Sequence, residues 1–200
     1  MARKRRIVVG ISGASGAVYG VRLLELLSAA RVETCLVMTR SAEITLAHET
    51  DLKLATVRAK ADRFCAVDDM AAPISSGSFP TDGMIVAPCS VKTLAEIASG
   101  TTSNLLTRAA DVTLKEKRRL VLMVRETPLH AGHIRAMAEA SEMGAVIYPP
   151  VPAFYARLRS VEQMVDHTLG RVLDLFGIET GKVTRWGEGA GPRRRRRGKA

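Results

Sequence analysis

Residues 7–27 contain a short apolar run, a loop of small residues and an amphipathic helical pattern, one directly after another. The apolar run at 7–11 leads into Ser-Gly-Ala-Ser-Gly at 12–16, and apolar residues then recur at the spacing of one helix face. A strand, loop and helix in this order direct backbone N–H groups and the positive end of the helix dipole at one place, which favours an anion. The sequence therefore predicts an α/β protein that holds a phosphorylated cofactor beyond its first strand.

The glycine spacing narrows the kind of phosphate site. Gly10, Gly13 and Gly16 stand three apart, unlike the G-x-G-x-x-G of dinucleotide folds, and no Gly-Lys-Ser/Thr follows as in a P-loop. Small residues also occur in strand-to-helix turns simply because they allow close packing. From the loop alone, a phosphate site and a plain packing turn both remain open.

The remainder of the chain alternates between apolar runs and helical patterns. Strands are predicted at 7–11, 32–38, 84–87, 120–124 and 145–148, and helices at 17–30, 41–48, 91–99, 104–116, 131–143 and 160–176. Strands separated by helices imply right-handed crossovers and a mainly parallel sheet with both faces covered. Since such sheets bind ligands beyond the carboxyl ends of their strands, we expect functional residues in the loops that follow strands.

Positive charge is concentrated at the two ends of the chain. The 200 residues carry a formal net charge of +10, with 30 Lys and Arg against 20 Asp and Glu. Ten of the 30 basic residues lie within 3–6 and 193–199, which leaves 20 basic against 20 acidic residues. We therefore predict a basic N-terminal extension at 1–6, one domain at 7–187, a disordered Arg-rich tail at 188–200 and no specific recognition of nucleic acid.

Neither a membrane span nor a metal site is predicted. No apolar run reaches transmembrane length and the N-terminus lacks the apolar core of a signal peptide, so we expect a cytoplasmic location. The cysteines, Cys35, Cys65 and Cys89, lack the spacing of a zinc site. His130 and His133 form a possible metal pair, but no third ligand is evident.

Polar residues follow two of the predicted strands in particular. Ser90 and Thr93 are typical helix-capping residues, although a second small polar loop beside the first also suits a phosphate and a polar ring. Arg125 and Glu126 directly follow an apolar strand, and either form a solvated pair or contact a ligand. Their place at the ligand edge of the sheet favours the second interpretation.

Other residues are ambiguous by pattern alone. Arg108 and Lys115 share a helix face with Asp111, which is typical of a surface ion-pair stripe. Glu49 reads as an ordinary acid at a helix end. Tyr155 ends a proline-rich segment that either lines an apolar pocket or simply connects two elements.

Taken together, these segments resemble the UbiX-type flavin prenyltransferases. The resemblance runs from about residue 6 to residue 187 and rests on an ordered set of motifs rather than on any single one. The set comprises Gly-Ile-Ser-Gly-Ala-Ser-Gly-Ala-Val-Tyr-Gly at 10–20, Glu-Thr-Asp at 49–51, Ile-Ser-Ser-Gly-Ser-Phe at 74–79, Pro-Cys-Ser at 88–90, Arg-Ala-Ala-Asp at 108–111, Leu-Lys-Glu at 114–116, Arg-Glu-Thr-Pro-Leu at 125–129, Pro-Val-Pro-Ala-Phe-Tyr at 150–155 and Arg-Trp at 185–186.

The resemblance implies a flavodoxin-like, Rossmann-type three-layer α/β fold and a large homo-oligomer, usually a dodecamer, with sites at subunit interfaces. It implies transfer of a dimethylallyl group from dimethylallyl phosphate to N5 and C6 of reduced FMN, without a metal. The product, prenylated FMN, would be the cofactor of a UbiD-type decarboxylase. Two alternatives are an FMN carrier and a flavin-dependent decarboxylase of the same fold, although the latter uses a catalytic His and a Pro-x-Met-Asn segment that we do not find in the sequence.

The resemblance also assigns roles to residues. It implies flavin contacts for Gly13, Ala14, Ser15, Thr39, Ser90, Val91, Lys92, Thr93 and Arg125. It implies contacts to the prenyl donor for Arg108, Lys115, Tyr155 and Arg171, and catalytic proton transfer by Ser15, Glu49 and Glu126. Two positions depart from the pattern, since Thr39 stands where the family commonly has Ser, and Met70 lies where some members carry a Trp.

Overall fold

The computed structural model describes residues 3–187, which form a single six-stranded parallel sheet between two layers of helices. In chain order the elements are β1 (Arg6–Ile11), α1 (Ala17–Ala29), β2 (Glu33–Met38), α2 (Arg40–Glu49), α3 (Leu54–Arg58), β3 (Arg63–Cys65), β4 (Gly83–Cys89), α4 (Val91–Ala98), α5 (Leu105–Lys115), β5 (Arg119–Val124), α6 (Ala131–Glu142), β6 (Ala145–Ile147) and α7 (Val161–Asp174). Short 3-10 turns occur at Pro73–Ser75 and Phe154–Ala156. The predicted Arg-rich tail at 188–200 lies outside the described residues.

The core lies on both faces of the sheet because the strands are apolar along nearly their whole length. One face packs against α1, α2 and α7, with Leu23, Leu27 and Leu169 fully buried. The other face packs against α4, α5 and α6, with Leu94 and Leu106 fully buried. This arrangement confirms the predicted three-layer, flavodoxin-like and Rossmann-type α/β fold.

The predicted helices and strands are confirmed to within about two residues at their ends. Sequence patterns missed β3 and α3, which are only three and five residues long. β3 pairs with β2 at the edge of the sheet, and its first residue, Arg63, is exposed. So short an edge strand carries too few apolar positions to show a periodic pattern.

The strand order places two loops side by side at the ligand edge. The order is β3-β2-β1-β4-β5-β6, so the direction of winding reverses between β1 and β4. In open parallel sheets, a ligand crevice forms beyond the carboxyl ends of the strands at this reversal. The loops at 12–16 and 90–93 follow these two strands and therefore flank one crevice.

The N-terminal basic residues are anchored to the opposite, amino edge of the sheet. Arg3 binds Asp82 at 2.6 Å, and Arg6, the first residue of β1, binds Glu33 at 2.8 Å.

Among residues 3–187, no helix is both long and apolar enough to cross a membrane. The predicted boundaries of the domain stay a prediction.

Candidate active site

The first loop is held tightly against the start of α2. A Cβ atom on Gly13 would collide with the side chain of Ser41, so this position requires glycine. Gly16 has a φ of 107°, in the left-handed region, where glycine bears no steric cost. Thr39 caps α2 by accepting a hydrogen bond from the amide of Ala42 at 3.1 Å. The loop and the start of α2 thus form one rigid wall of the crevice.

The anion that meets the N-terminus of α1 is the carboxylate of Glu49, the last residue of α2. Its oxygens accept hydrogen bonds from the amide of Gly16 at 2.9 Å and from the amide of Ala17 at 2.8 Å. Burial opposes ionisation of this carboxyl, but hydrogen bonds from Ser15, Ala17 and Gly16 outweigh it, and they lower the pKa of Glu49 with help from the charge of Arg125. The sequence predicted a ligand phosphate at the end of the first strand, but the Glu49 carboxylate occupies part of that position.

The second loop starts α4 with a neutral cap. The Ser90 hydroxyl accepts a hydrogen bond from the amide of Thr93 at 3.3 Å and donates one to the Thr93 hydroxyl at 3.2 Å. Ser12 ties this loop to the first, because its buried hydroxyl donates to the carbonyl of Pro88 at 3.0 Å and accepts from the amide of Ser90 at 2.7 Å. Sequence reasoning missed Ser12, although a hydroxyl placed directly at a strand end was a usable signal.

Four amides of the two loops remain available to a ligand. Within residues 3–187, the backbone N–H groups of Gly13, Ser15, Val91 and Lys92 have no hydrogen-bond acceptor. Unpaired amides at the start of α4, next to small residues that permit close approach, suit a phosphate group. The residues at the reversal of the sheet therefore fit a phosphate-bearing mononucleotide. The Lys92 side chain itself extends along α4 to Glu96, 2.7 Å away, so it is the Lys92 amide that faces the crevice edge.

Arg125 and Glu126 follow β5 at the same edge. The amide of Arg125 donates to the carbonyl of Cys89 at 3.1 Å, which places this residue beside the end of β4. Its charge influences both Glu49 and Tyr19; burial raises the pKa of Tyr19, and Arg125 only partly offsets that effect. Glu126 is exposed and accepts a hydrogen bond from the amide of Thr127 at 3.0 Å.

Tyr155 and Arg171 belong to a third group, built around the end of α7. The ring of Tyr155 meets Trp186 edge-on, with 5.3 Å between ring centroids. Asp174 binds Arg171 at 2.6 Å. Its two carboxylate oxygens also accept hydrogen bonds from Arg185, at 3.0 and 3.1 Å. Although burial opposes ionisation, Arg185 and Arg171 lower the pKa of Asp174. Sequence reasoning missed Asp174, which orients the predicted phosphate ligand Arg171.

Arg108 and Lys115 lie apart from this group. α5 runs from its start at Leu105 toward the amino edge of the sheet, where Lys115 binds Glu116 at 2.6 Å. Arg108 donates to the carbonyl of Ser75 at 3.1 Å and binds Asp111 at 2.7 Å. The six residues of β5, about 20 Å of extended chain, lie between Lys115 and Arg125. One chain therefore does not bring Lys115 to the loops at the carboxyl edge.

The remaining candidate residues have structural contacts. His130 caps α6 by accepting a hydrogen bond from the amide of Gly132 at 3.0 Å, and its ring stacks on His133. Across residues 3–187, no group of three His, Cys, Asp or Glu side chains could hold a metal ion. Burial raises the pKa of the Cys89 thiol, which disfavours the reactive thiolate and favours a structural role for this residue. Met70 is exposed between β3 and β4.

Comparison with known proteins relates the whole described fold to flavin enzymes. A family model described as Flavoprotein matches residues 1–173. The chain is 58% identical over 175 residues to the flavin prenyltransferase UbiX of Escherichia coli K12, covering 87% of this chain and 93% of the relative. It is 55% identical over 183 residues to a probable UbiX-like flavin prenyltransferase of Bacillus subtilis, covering 92% and 90%.

Two solved structures show the same fold. A crystal structure of AnUbiX in complex with FMN and dimethylallyl pyrophosphate superposes with a TM-score of 0.91, at 55% identity, covering 92% of this chain and 98% of that one. A dodecameric FMN-dependent UbiX-like decarboxylase from Escherichia coli O157:H7 superposes with a TM-score of 0.88, at 49% identity, covering 90% and 98%.

Proposed function

Because the chain belongs to the UbiX family of flavin prenyltransferases, we propose that it transfers a dimethylallyl group from dimethylallyl phosphate to reduced FMN. New bonds form at N5 and C6 of the flavin, and the product is prenylated FMN. The observation that carries this proposal is the pair formed by Ser15 and Glu49 at the head of the first loop, next to the open amides of the second. A hydroxyl paired with an ionised carboxylate is suited to moving a proton.

FMN binds, in this proposal, across the reversal of the sheet. Its phosphate lies at the start of α4, on the amides of Val91 and Lys92 and near the hydroxyls of Ser90 and Thr93. Its ring lies over the small residues of the first loop, Gly13 and Ala14, with Thr39 and Arg125 at the sides. The flavin supplies a nucleophilic nitrogen and carbon to the reaction, and the other steps depend on side chains of the protein.

Ser15 and Glu49 accept the proton that leaves flavin N5. The Ser15 hydroxyl takes up this proton as it passes its own to the Glu49 carboxylate, to which it is hydrogen-bonded. The lowered pKa of Glu49 means that the carboxylate is ionised, and so able to accept, at neutral pH. Glu126, which is exposed at the same edge, takes up the proton released at C6.

Cationic and hydroxyl groups stabilise the departing phosphate. When the allylic C–O bond breaks, its electron pair leaves with the phosphate, whose developing charge needs nearby donors. Arg171, oriented by Asp174, and the Tyr155 hydroxyl provide such donors from α7 and from the turn before it. The Trp186 ring meets the Tyr155 ring edge-on beside these donors.

Lys115 and Arg108 complete the donor site from a neighbouring subunit. In one chain they lie away from Arg171, so their predicted contact with the same phosphate requires a second copy. Val151, Phe154 and Trp186, which are 70%, 81% and 77% exposed, offer an apolar surface for that contact next to Tyr155. We therefore propose a homo-oligomer, a dodecamer like the UbiX-like relative from Escherichia coli O157:H7. A UbiD-type decarboxylase as recipient of the product and a cytoplasmic location complete the proposal.

The test is a single anaerobic reaction. Purified protein, reduced FMN and dimethylallyl phosphate are mixed, and the flavin is analysed by mass spectrometry and absorbance. We expect FMN to gain the mass of one prenyl group, with catalytic turnover. Unmodified FMN after incubation with both ligands bound would reject transfer, and binding without turnover would favour an FMN carrier.

A further inference from the structure

A second cavity lies at the amino edge of the sheet, on the far side from the flavin crevice. Its volume is about 550 Å³, within the range of small-molecule sites. It lies between the starts of β1 and β5, the turn before β6 and the segment after α7. β1 runs from this cavity to the first loop, so the two sites are separated by about 20 Å.

The cavity collects positive charge from two distant parts of the chain. Arg5 comes from the N-terminus, and Lys117, Arg118 and Arg119 come from the turn between α5 and β5, whereas Asp82 is the acid among the lining residues. That carboxylate is already bound by Arg3 at 2.6 Å and by the amide of Arg6 at 2.6 Å. Since the chain outside its two ends has 20 basic and 20 acidic residues, this concentration is a local feature.

Two of these cations, Lys117 and Arg119, have neither an acidic partner nor a side-chain hydrogen bond among residues 3–187. Within residues 3–187, no carboxylate lies within 4.0 Å of the Lys117 ammonium or the Arg119 guanidinium. By contrast, Arg5 donates to the carbonyls of Phe176 and Gly177, and Arg118 donates to the carbonyls of Gly77 and Phe79. Arg5 and Arg118 therefore shape the cavity, while Lys117 and Arg119 offer unpaired donors, and like charges lining a cleft attract an anion.

Lys117 occupies a position where glycine would be favoured. Its φ is 56°, in the left-handed region, just after the end of α5. Such a helix end usually carries glycine, because other residues bear a steric cost there. Here a lysine takes that conformation and carries its charge at the cavity.

One side of the cavity is apolar. Ile7, Val146, Phe176 and Ile178 line it, and the Arg119 guanidinium lies 5.9 Å from the centre of the Phe176 ring. An apolar wall beside two unpaired cations matches a ligand with a small apolar body and one phosphate group. Inorganic phosphate would make no contact with the apolar side, and an uncharged ring would leave the cations unpaired.

We propose that this amino-edge cavity binds a phosphate ester of a small apolar or aromatic group, with its phosphate on Lys117 and Arg119 and its body against Phe176. Within one chain the site is separate from the flavin crevice, and the proposal does not depend on the transfer reaction. Binding weakens as salt is raised, because charge on an open surface is screened.

Isothermal titration calorimetry with phenyl phosphate tests the proposal. The full chain is first saturated with oxidised FMN and dimethylallyl phosphate, which blocks the flavin crevice without turnover. We expect one phenyl phosphate per chain, with phenol and inorganic phosphate binding at least tenfold more weakly. No binding to the loaded protein would overturn the proposal.

Two variants and one matched control separate the site from general charge effects. Lys117→Gly and Arg119→Gln are each expected to weaken binding at least tenfold, and Lys117→Gly should not lower Tm because glycine tolerates this φ. Arg31→Gly is the control, since Arg31 has a φ of 57° after α1 and lies outside the cavity lining. Binding that both cavity variants leave within twofold of the unaltered chain, or that Arg31→Gly weakens equally, would overturn the proposal.

Discussion

The starts of α1 and α4 are two versions of one structural unit, and they differ in what meets their N-termini. Both helices follow a buried parallel strand, α1 after a loop of small residues and α4 after the single residue Ser90. At α1 the amides of Gly16 and Ala17 bind the Glu49 carboxylate. At α4 the amides of Val91 and Lys92 have no acceptor within residues 3–187, and the cap is the neutral Ser90 hydroxyl.

This difference shows how similar loops can serve different parts of one reaction. A carboxylate at α1 holds a base at a fixed place, and it would repel a ligand phosphate from the same helix end. An uncharged cap at α4 leaves the helix dipole available to the ligand phosphate. The role of the α1 start depends on α2, whose last residue, Glu49, reaches the first loop.

Removing the charge at α1 is expected to have the largest effect. In Glu49→Gln the side chain keeps its size and one acceptor but no longer accepts a proton. We expect prenyl transfer to slow by at least about 100-fold, in line with the loss of a proton-transfer group, while FMN affinity stays within about threefold. Anaerobic rate measurements and flavin titration check both values.

Glu43→Gln is the matched control for that variant. Glu43 also lies on α2, but its carboxylate binds Arg58 at 2.8 Å and is outside the loop contacts. We expect near-normal transfer in Glu43→Gln. Lost flavin binding in Glu49→Gln, with the rate unchanged at saturating FMN, would contradict a proton-transfer role for Glu49.

Removing the cap at α4 tests the other side of the comparison. Ser90→Ala is expected to reduce stability by about 1 kcal/mol through loss of an N-cap. It should also weaken FMN binding about tenfold, because a hydrogen bond to a charged phosphate contributes about 1.5 kcal/mol. Thermal unfolding and flavin titration measure the two effects.

Ser160→Ala separates capping from flavin binding. Ser160 caps α7 with the same kind of contact, accepting a hydrogen bond from the amide of Gln163 at 3.2 Å. We expect a similar loss of stability with unchanged FMN affinity. If Ser160→Ala weakened FMN binding as much as Ser90→Ala, the phosphate would not lie at the start of α4.

The carboxylate at α1 also makes a smaller, pH-dependent contribution to stability. Because the pKa of Glu49 is lower in the folded chain than in the unfolded one, its contribution is present at neutral pH and is lost as pH falls through the folded pKa. The stability advantage of the unaltered chain over Glu49→Gln should therefore narrow between about pH 6 and about pH 3. A difference in Tm that stays constant over this range would show that the charge of Glu49 is not what stabilises the loop.

The smallest effect is expected for the side chain of Lys92. It points along α4 to Glu96, so its amide rather than its ammonium group serves the phosphate. Lys92→Ala should change FMN affinity by less than about threefold, since the exposed ion pair that it removes is weak. A larger loss in flavin titration would mean that the side chain turns toward the phosphate on binding.

The sequence predicted the sheet, its crossovers and the ligand edge because long apolar strands and helices carry a clear period. The role of Glu49 could not be predicted from local pattern, since 32 residues or more separate it from the amides it binds. Ser12 was missed for a related reason, because it contacts residues remote in the chain. Asp174 was missed for another reason, because an acid three positions from an arginine is common on any helix surface. Only the resemblance to a family assigned Arg108 and Lys115 a contact with the prenyl donor. That they lie apart from Arg171 in one chain is visible only in the structure.

The position of Lys115 at the edge opposite Glu49 has a genetic consequence. If each site draws these two residues from different chains, an oligomer mixed from Glu49→Gln and Lys115→Ala chains contains some sites in which both residues are intact. Two alleles that are inactive alone would then complement each other when expressed together. A cell that carries both would regain prenylated flavin, although neither of its genes encodes a working subunit.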